Sequence, residues 1–248
     1  MKKNTLLLVL AFVLSLGFSS CGDKKTDETN QTTSTKYYRQ ILFSETAFDG
    51  INGIHEITAE EAKTVNNYKF TFDEKNRPVL IEFGRNGVFL PYADLESSKI
   101  VFEYTDSTET RLFFDEKDSI KLVNGKVYKY VFTLDKTTGM RNGLKFYDKD
   151  GNNIENRNKI ASYTWSKLPD AMVKENRFNL EGKEVIMNEF CPFFELRFSY
   201  NEKGFVTRMA NYLGDTLTNC TAENCGDIGV SYFSFGIEDN GNLKSFEV

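Results

Sequence analysis

The sequence predicts a mainly β fold, an irregular antiparallel sheet built from consecutive hairpins, with one to three short helices. Two observations lead to this prediction. Short stretches in which apolar and polar residues alternate recur along the chain, and each is followed by a few acidic, Asn or Gly residues. Aromatic residues make up 14% of the chain, and their rings pair well across neighbouring strands. Alternation with period two gives each strand one buried and one solvated face.

The predicted hairpins can be followed along the chain. Residues 68–72 run into a turn at 73–76, and residues 196–200 run into a turn at 201–204. Junctions of the same kind lie at 112–118, 132–135, 146–151, 178–182 and 235–241. The short polar segments reverse the chain, and Gly takes the positive φ that a tight hairpin requires. Their uneven spacing favours an irregular sheet over a solenoid or propeller with a fixed repeat.

Two of these junctions carry a loose resemblance. The segments FYDKDGNN at 146–153 and FSYNEKGF at 198–205 resemble the tyrosine-and-aspartate hairpin repeats of bacterial envelope and secreted proteins. The alternative is that any meandering sheet produces such junctions through common turn chemistry.

Three short helices are expected between the strands. Thr58 and Glu61 form a capping box, which predicts a helix of two to three turns that ends before Asn66. A second helix is predicted at 93–98 and a third at 169–174. None of them has the length or the apolar face that a coiled coil or a membrane-surface helix requires.

The first twenty residues have the pattern of a secretory signal peptide. Lys2 and Lys3 give a positive start, and a short apolar run follows at 6–16. That run is little more than half of the roughly 20 residues that span a bilayer. The segment Phe18-Ser19-Ser20-Cys21 resembles the lipobox of bacterial lipoproteins, with Phe18 in the place of the usual Leu. The alternative is an ordinary signal peptide that is cleaved nearby, with an incidental cysteine.

The lipoprotein resemblance implies a location and a membrane contact. It predicts a signal peptide at 1–20 and acyl chains on Cys21, which would attach the chain stably to a membrane because more than one chain is present. Gly22 follows the cysteine where an inner-membrane retention signal would have Asp, so we expect an exported, outer-membrane lipoprotein. Residues 21–36 comprise Cys21 and a polar, Thr-rich tether. The remaining residues, 37–248, are expected to form one β-rich domain.

The charge of the chain excludes one class of partner. Its 31 Lys and Arg residues against 36 Asp and Glu residues leave a net charge of −5. Binding to nucleic acid depends on clustered Lys and Arg, and the longest basic run after the signal peptide is Lys24-Lys25. We therefore expect no nucleic-acid partner.

Three cysteines follow Cys21 in the sequence. Pairing is the default expectation in the oxidising compartment that export implies. Cys220 and Cys225 are close enough in sequence to close a small loop, which would leave Cys191 buried among aromatic residues. The alternative pairs Cys191 with one of the other two. A closed zinc site would need four ligands, and the only histidine, His55, lies far away in the sequence.

The sequence offers no catalytic motif. It contains no Gly-x-Ser-x-Gly elbow, phosphate loop or dinucleotide fingerprint. His55 lies in an alternating segment and is interpreted as a surface histidine. Acidic pairs are too numerous to single out a glycosidase pair, and the Asp-rich turn at 148–153 does not match a calcium loop. No catalytic residue, metal or cofactor is predicted.

Three hypotheses about function remain. The first is a lipid-anchored binding or interaction module for an unknown protein, peptide or glycan, with Tyr163, Trp165 and Tyr232 as candidate contacts. The second is a structural or immunity-type envelope protein that acts by occupying a partner. The third is a hydrolase of envelope polymers, which would need a pocket with two convergent carboxylates.

Overall fold

A computed structural model describes residues 33–91, 95–188, 193–219 and 230–248. The described residues belong to one compact unit. Its elements are β1 (Ser34–Ile41), β2 (Gly53–Ile57), a 3-10 turn (Glu61–Lys63), β3 (Asn67–Phe72), β4 (Pro78–Arg85), β5 (Val88–Phe89), β6 (Lys99–Tyr104), β7 (Thr108–Phe114), β8 (Lys129–Leu134), β9 (Arg141–Tyr147), β10 (Ser162–Lys167), β11 (Val173–Phe178), β12 (Glu195–Tyr200), β13 (Val206–Leu213), β14 (Thr216–Leu217), β15 (Tyr232–Ile237) and β16 (Leu243–Glu247).

All strands of the described residues belong to one antiparallel sheet. Its order is β16-β15-β13-β12-β11-β10-β9-β8-β7-β6-β4-β3-β1-β2, with β14 paired to β13 and β5 paired to β4. Most strands therefore pair with their neighbours in sequence. The exceptions are the pairs β4–β6 and β13–β15, which pass over the short strands β5 and β14, and the pair β1–β3, which places β1 between β2 and β3. This topology confirms the predicted sheet of consecutive hairpins. β1 begins ahead of the expected domain start at residue 37, because Thr35 and Lys36 pair with Thr71 and Phe70 of β3.

The predicted turns form as the polar segments indicated. Asp148 Oδ1 accepts hydrogen bonds from the backbone N–H groups of Asp150 and Asn152 at 2.9 and 2.8 Å. Asn201 Oδ1 does the same for two backbone N–H groups of its own turn, at 3.0 and 2.9 Å. Gly151 has a φ of 84°, which only glycine adopts without strain. In each of these turns, a side chain of the turn thus accepts hydrogen bonds from backbone N–H groups of the same turn.

The predicted helices do not form in the described residues, apart from one short 3-10 turn. Thr58 and Glu61 form the expected reciprocal bonds, with Thr58 N donating to Glu61 Oε2 at 2.8 Å and Glu61 N donating to Thr58 Oγ1 at 3.2 Å. The turn that follows is one 3-10 turn instead of two to three helical turns, because β3 begins at Asn67 and its residues pair with both β1 and β4.

The other two predicted helices are not found in the described residues. The prediction at 169–174 is wrong, because residues 169–171 make a turn and β11 begins at Val173. The prediction at 93–98 lies partly outside the described residues, and its described part is not helical. The described residues also contain no helix with the length and apolar character to cross a membrane.

The sheet carries two clusters of buried apolar side chains. The N-terminal core is supplied mainly by β3, β4, β6 and β7 and includes Phe70, Ile81 and Ile100. The C-terminal core is supplied mainly by β8 to β13 and β15 and includes Phe132 and Phe198. Tyr130 of β8 packs against both cores.

The two edge strands of the sheet approach each other at one corner. His55 of β2 has its Nε2 atom 2.7 Å from Oδ1 of Asn242, in the turn before β16. A Cβ atom placed on Gly241 would lie 2.7 Å from the Ile54 side chain. The sheet therefore curls, and one of its faces becomes an inner face.

Candidate functional site

The connection between β1 and β2, residues 42–52, lies on the inner face of the curled sheet and is called the inserted segment below. The Phe43 ring centroid is 5.1 Å from that of Phe235, and the Phe48 centroid is 5.8 Å from that of Trp165. These partners belong to β15 and β10, far from β1 and β2 in sheet order. The inserted segment therefore covers the C-terminal core.

One polar anchor of the inserted segment is a buried carboxylate on β11. Thr46 Oγ1 donates a short hydrogen bond to Glu175 Oε2, and Trp165 Nε1 donates to the same oxygen at 2.8 Å. Arg177 Nη1 lies 3.3 Å from the other carboxylate oxygen. Glu175 is 1% exposed and Arg177 is fully buried. Both oxygens of Glu175 are thus occupied, and this cluster holds the segment in place.

A second anchor is Asp49 in the inserted segment itself. Tyr200 of β12 donates its hydroxyl to Asp49 Oδ1 at 2.8 Å, and Ser44 Oγ donates to Oδ2 at 3.0 Å. Burial raises the pKa of Asp49 above its usual range, although these two hydrogen bonds oppose the shift. Burial and the neighbouring carboxylate also raise the pKa of Tyr200. The pair is a partly buried hydrogen bond between a hydroxyl and a carboxylate.

A third cluster joins the inserted segment to β7. Glu109 Oε1 accepts from Arg111 Nε at 2.7 Å, and Glu109 Oε2 accepts from Arg141 Nη2 at 2.6 Å. Arg141 Nη1 donates to the carbonyl oxygen of Phe48 at 2.9 Å. Burial alone would raise the pKa of Glu109, but the guanidinium groups of Arg111 and Arg141 outweigh it and lower this pKa. Glu109 is therefore ionised at neutral pH.

A cleft of about 390 Å³ lies between the inserted segment and strands β6 to β8, and we call it the cleft. Its walls include the apolar side chains of Ile41, Ile100, Phe113 and Val123. Arg111 also lines it. Its volume is at the lower end of the roughly 300–1,000 Å³ of small-molecule sites. An apolar cavity bordered by a few buried polar groups is the usual form of such a site.

The rim of the cleft carries an exposed ion pair. Glu96 pairs with Arg157, and both side chains are about half exposed. Glu96 Oε2 also accepts from the backbone N–H of Asn124 at 2.9 Å, and Asn124 Nδ2 donates to the Tyr130 hydroxyl at 3.2 Å. The two carboxylates that border the cleft, Asp49 and Glu96, are thus both engaged in hydrogen bonds with other groups.

The buried charges share a sequence pattern that the sequence analysis missed. Glu-Xaa-Arg occurs on three strands, with ion-pair distances of 2.7, 3.3 and 2.9 Å for Glu109–Arg111, Glu175–Arg177 and Glu195–Arg197. Residues two apart on a strand point to the same face, so each pair meets within its own strand. The signal was the occurrence of a Glu and an Arg, two residues apart, within one strand.

The three aromatic residues predicted as ligand contacts differ in how far they are exposed to solvent. Trp165 is only 4% exposed, and its ring stacks on Phe132 and Tyr163. Burial raises the pKa of the Tyr163 hydroxyl. Tyr232 is 39% exposed and lies against the guanidinium of Arg208. Of the three rings, that of Tyr232 is accessible to a partner, while Trp165 and Tyr163 pack in the C-terminal core.

The cysteine predictions lie outside the described residues. This applies to the lipid attachment at Cys21 and to the disulfide between Cys220 and Cys225, with its alternative through Cys191. His55 is described and is partly buried, with a φ of 57°. Its ring nitrogen contacts Asn242 across the corner of the sheet, so its visible role is to join the two edges.

Comparisons with known proteins give no information about this site. No family model matches the sequence, and a search of the curated proteins finds no similar protein. In the part of the chain that the structure describes, no three His, Cys, Asp or Glu side chains are grouped as a metal site would require. The cleft is therefore interpreted from its own residues.

Proposed function

We propose that this chain is a lipid-anchored envelope protein whose β domain binds a small ligand in the cleft. The observation that carries the binding proposal is the combination of apolar walls with buried, hydrogen-bonded polar groups around a volume of about 390 Å³. The inserted segment forms one wall and is held by side chains of β10, β11 and β12. A wall fixed from several strands is preorganised, which reduces the entropy lost on binding.

The anchor rests on the sequence at 18–21 and on Cys21 as the acylated residue. Cells grown with an alkyne fatty acid should incorporate the label into the wild-type protein and not into a Cys21→Ser variant. The wild-type protein should also partition with outer-membrane fractions. An unmodified N-terminus downstream of Cys21 would contradict the proposed lipid attachment and would not affect the proposal about the cleft.

Binding in the cleft can be tested with a fluorescent apolar anion, anilinonaphthalene sulfonate. The full chain carrying Cys21→Ser lacks the proposed acylation site and can be studied without detergent. Gly50 borders the cleft, and a Cβ atom there would meet only the Asn52 side chain, at 3.5 Å. A Gly50→Phe substitution should therefore introduce a ring at the cleft without backbone strain.

We expect the dye to bind the wild-type cleft and to bind Gly50→Phe at least tenfold more weakly. Thr137→Phe is the matched control, because Thr137 is exposed in the turn between β8 and β9 and the change adds a ring far from the cleft lining. Equal dye binding by Gly50→Phe and Thr137→Phe would place the dye elsewhere and contradict a ligand site in the cleft.

A further inference from the structure

The cluster around Glu109 carries two positive charges and one negative charge. Arg111 and Arg141 share the single carboxylate of Glu109, and the side chains of Arg111, Arg141 and Glu109 are 7%, 14% and 5% exposed. Burial, followed by the charge of Arg141, lowers the pKa of Arg111 to about 10. Arg111 is therefore still protonated at neutral pH. The two guanidinium groups outnumber the Glu109 carboxylate, and Asp49 is a second carboxylate that interacts with Arg141.

Arg111 also has a donor without an acceptor. Its Nη2 atom is buried and makes no hydrogen bond within the described residues. Its guanidinium carbon lies 4.4 Å from the ring centroid of Phe132 and 5.4 Å from that of Phe102. Aromatic faces stabilise a guanidinium but accept no conventional hydrogen bond. A buried donor without an acceptor destabilises the folded protein.

The position of Arg111 distinguishes it from similar groups. Arg177 Nε also makes no hydrogen bond within the described residues, but Arg177 is absent from the cleft lining. Arg157 does line the cleft, but it is half exposed and pairs with Glu96. Arg111 is thus the cleft cation that is both buried and incompletely bonded, and it lies beside apolar walls.

We propose that the cleft binds an amphiphilic carboxylate, with the carboxylate at Arg111 and the apolar body against Ile41, Ile100, Phe113 and Val123. This inference rests on the proposed binding function and names the class of ligand. Because Arg111 lines the cleft, a carboxylate there makes a charge-assisted contact with its guanidinium group and adds negative charge beside a cluster of two guanidinium groups and one carboxylate. The apolar body removes the surrounding side chains from water. An anion without an apolar body would satisfy only the first of these requirements.

The test compares three probes by isothermal titration calorimetry on the full chain carrying Cys21→Ser. Decanoate has both the charge and the apolar body, decanol has only the body, and inorganic phosphate has only the charge. We expect decanoate to bind at least tenfold more tightly than either of the others. Equal binding of decanol, or equal binding of phosphate, would overturn the inference.

Two variants locate the charge that is recognised. Arg111→Gln should weaken decanoate binding at least tenfold and leave decanol binding unchanged. Arg197→Gln is the matched control, because Arg197 belongs to another Glu-Xaa-Arg pair, is similarly buried and does not line the cleft. Unchanged decanoate binding by a folded Arg111→Gln would overturn the inference. If Arg111→Gln does not fold, as judged by circular dichroism, the wild-type ratio of decanoate to decanol binding decides alone.

The outcomes separate this inference from the proposed function. If decanoate and decanol bind equally and Gly50→Phe weakens both, the cleft is a ligand site and the carboxylate inference fails. If none of the probes binds and the dye does not bind either, both proposals fail.

Discussion

The short hairpin turns and the inserted segment satisfy their polar groups in opposite ways. In the turn at 148–152, the Asp148 side chain bonds to backbone N–H groups two and four residues later. In the inserted segment, Thr46 bonds to Glu175 and Asp49 bonds to Tyr200, which are 129 and 151 residues away. A turn is thus a local structure, whereas the inserted segment depends on the rest of the sheet. The same residue types, Asp, Thr and Ser, serve both purposes.

The largest expected effect is at the anchor of the inserted segment. Glu175→Gln removes the negative charge beside the fully buried Arg177, and leaving one charge of a buried pair uncompensated costs about 3–5 kcal/mol. The free energy of unfolding, measured by urea denaturation with circular dichroism, should fall by that amount. Asp239→Asn is the control in a turn, because its ion pair with Lys203 is exposed and should contribute no measurable stability. Equal urea midpoints for the two variants would contradict the distinction between turn and inserted segment.

The next largest effect concerns the apolar contact of the inserted segment. Phe48→Ala should lower the free energy of unfolding by about 2–3 kcal/mol, below the value for a fully buried Phe because Phe48 is only partly buried. Trp165 is the only tryptophan, and the loss of its neighbour should shift its fluorescence emission to the red. Leu180→Ala, at an exposed turn residue, should change stability by less than about 0.5 kcal/mol. A folded Phe48→Ala with unchanged emission would show that the segment does not cover Trp165.

A smaller and local effect is expected in the turns. Asn201→Ala removes the acceptor of two backbone N–H groups and should cost about 1 kcal/mol. Amide hydrogen exchange should accelerate at 201–205 and stay unchanged in the inserted segment. Faster exchange at 42–52 would contradict the independence of the turns.

The smallest expected effect is that the contributions of Asp49 and Asp148 to stability depend on pH with opposite signs. Burial raises the pKa of Asp49 above the 3.8 of a free side chain. The contribution of Asp49 to the free energy of unfolding is therefore fully present below pH 3.8 and is lost as the pH rises through the folded-state pKa. Hydrogen bonds from Asn152 and its neighbours lower the pKa of Asp148, so its contribution is present above 3.8 and is lost as the pH falls.

The measurement is urea unfolding at about pH 4 and about pH 7, on Asp49→Asn and Asp148→Asn. Relative to wild type, Asp49→Asn should become more stable as the pH rises, and Asp148→Asn should become less stable. The same sign for both variants would contradict the opposite environments of the two carboxylates.

The turns and the sheet could be predicted from the sequence because their signals are local. Asp148 and Asn201 lie directly after alternating stretches and bond to their own neighbours. The helix predicted at 169–174 does not form because Pro169 and Asp170 also suit a turn, and the pairing of Val173 with Phe198 decided the outcome. Tertiary pairing thus overrode local preference.

The candidate site could be predicted only in part. Glu109 and Arg111 share a strand, and a spacing of two residues is enough to place them on one face, but this signal was missed in the sequence. Nothing near Thr46 or Asp49 in the sequence indicates Glu175 or Tyr200 as partners, because these contacts exist only after the sheet has curled. Trp165 illustrates the same limit, since alternation places it on the face of Tyr163 but cannot show that Phe48 covers that face.

The contact between His55 and Asn242 spans 187 residues, and this distance has a consequence in time. Closing so long a loop costs more conformational entropy than closing a hairpin, so an interval separates formation of the local hairpins from formation of the contacts of residues 46–55. During that interval Phe43 and Phe48 have no core to enter, and β2 has no opposite corner to meet. The inserted segment, although it lies near the start of the domain, is therefore expected to reach its final place only after the last hairpin, β15 and β16, has formed.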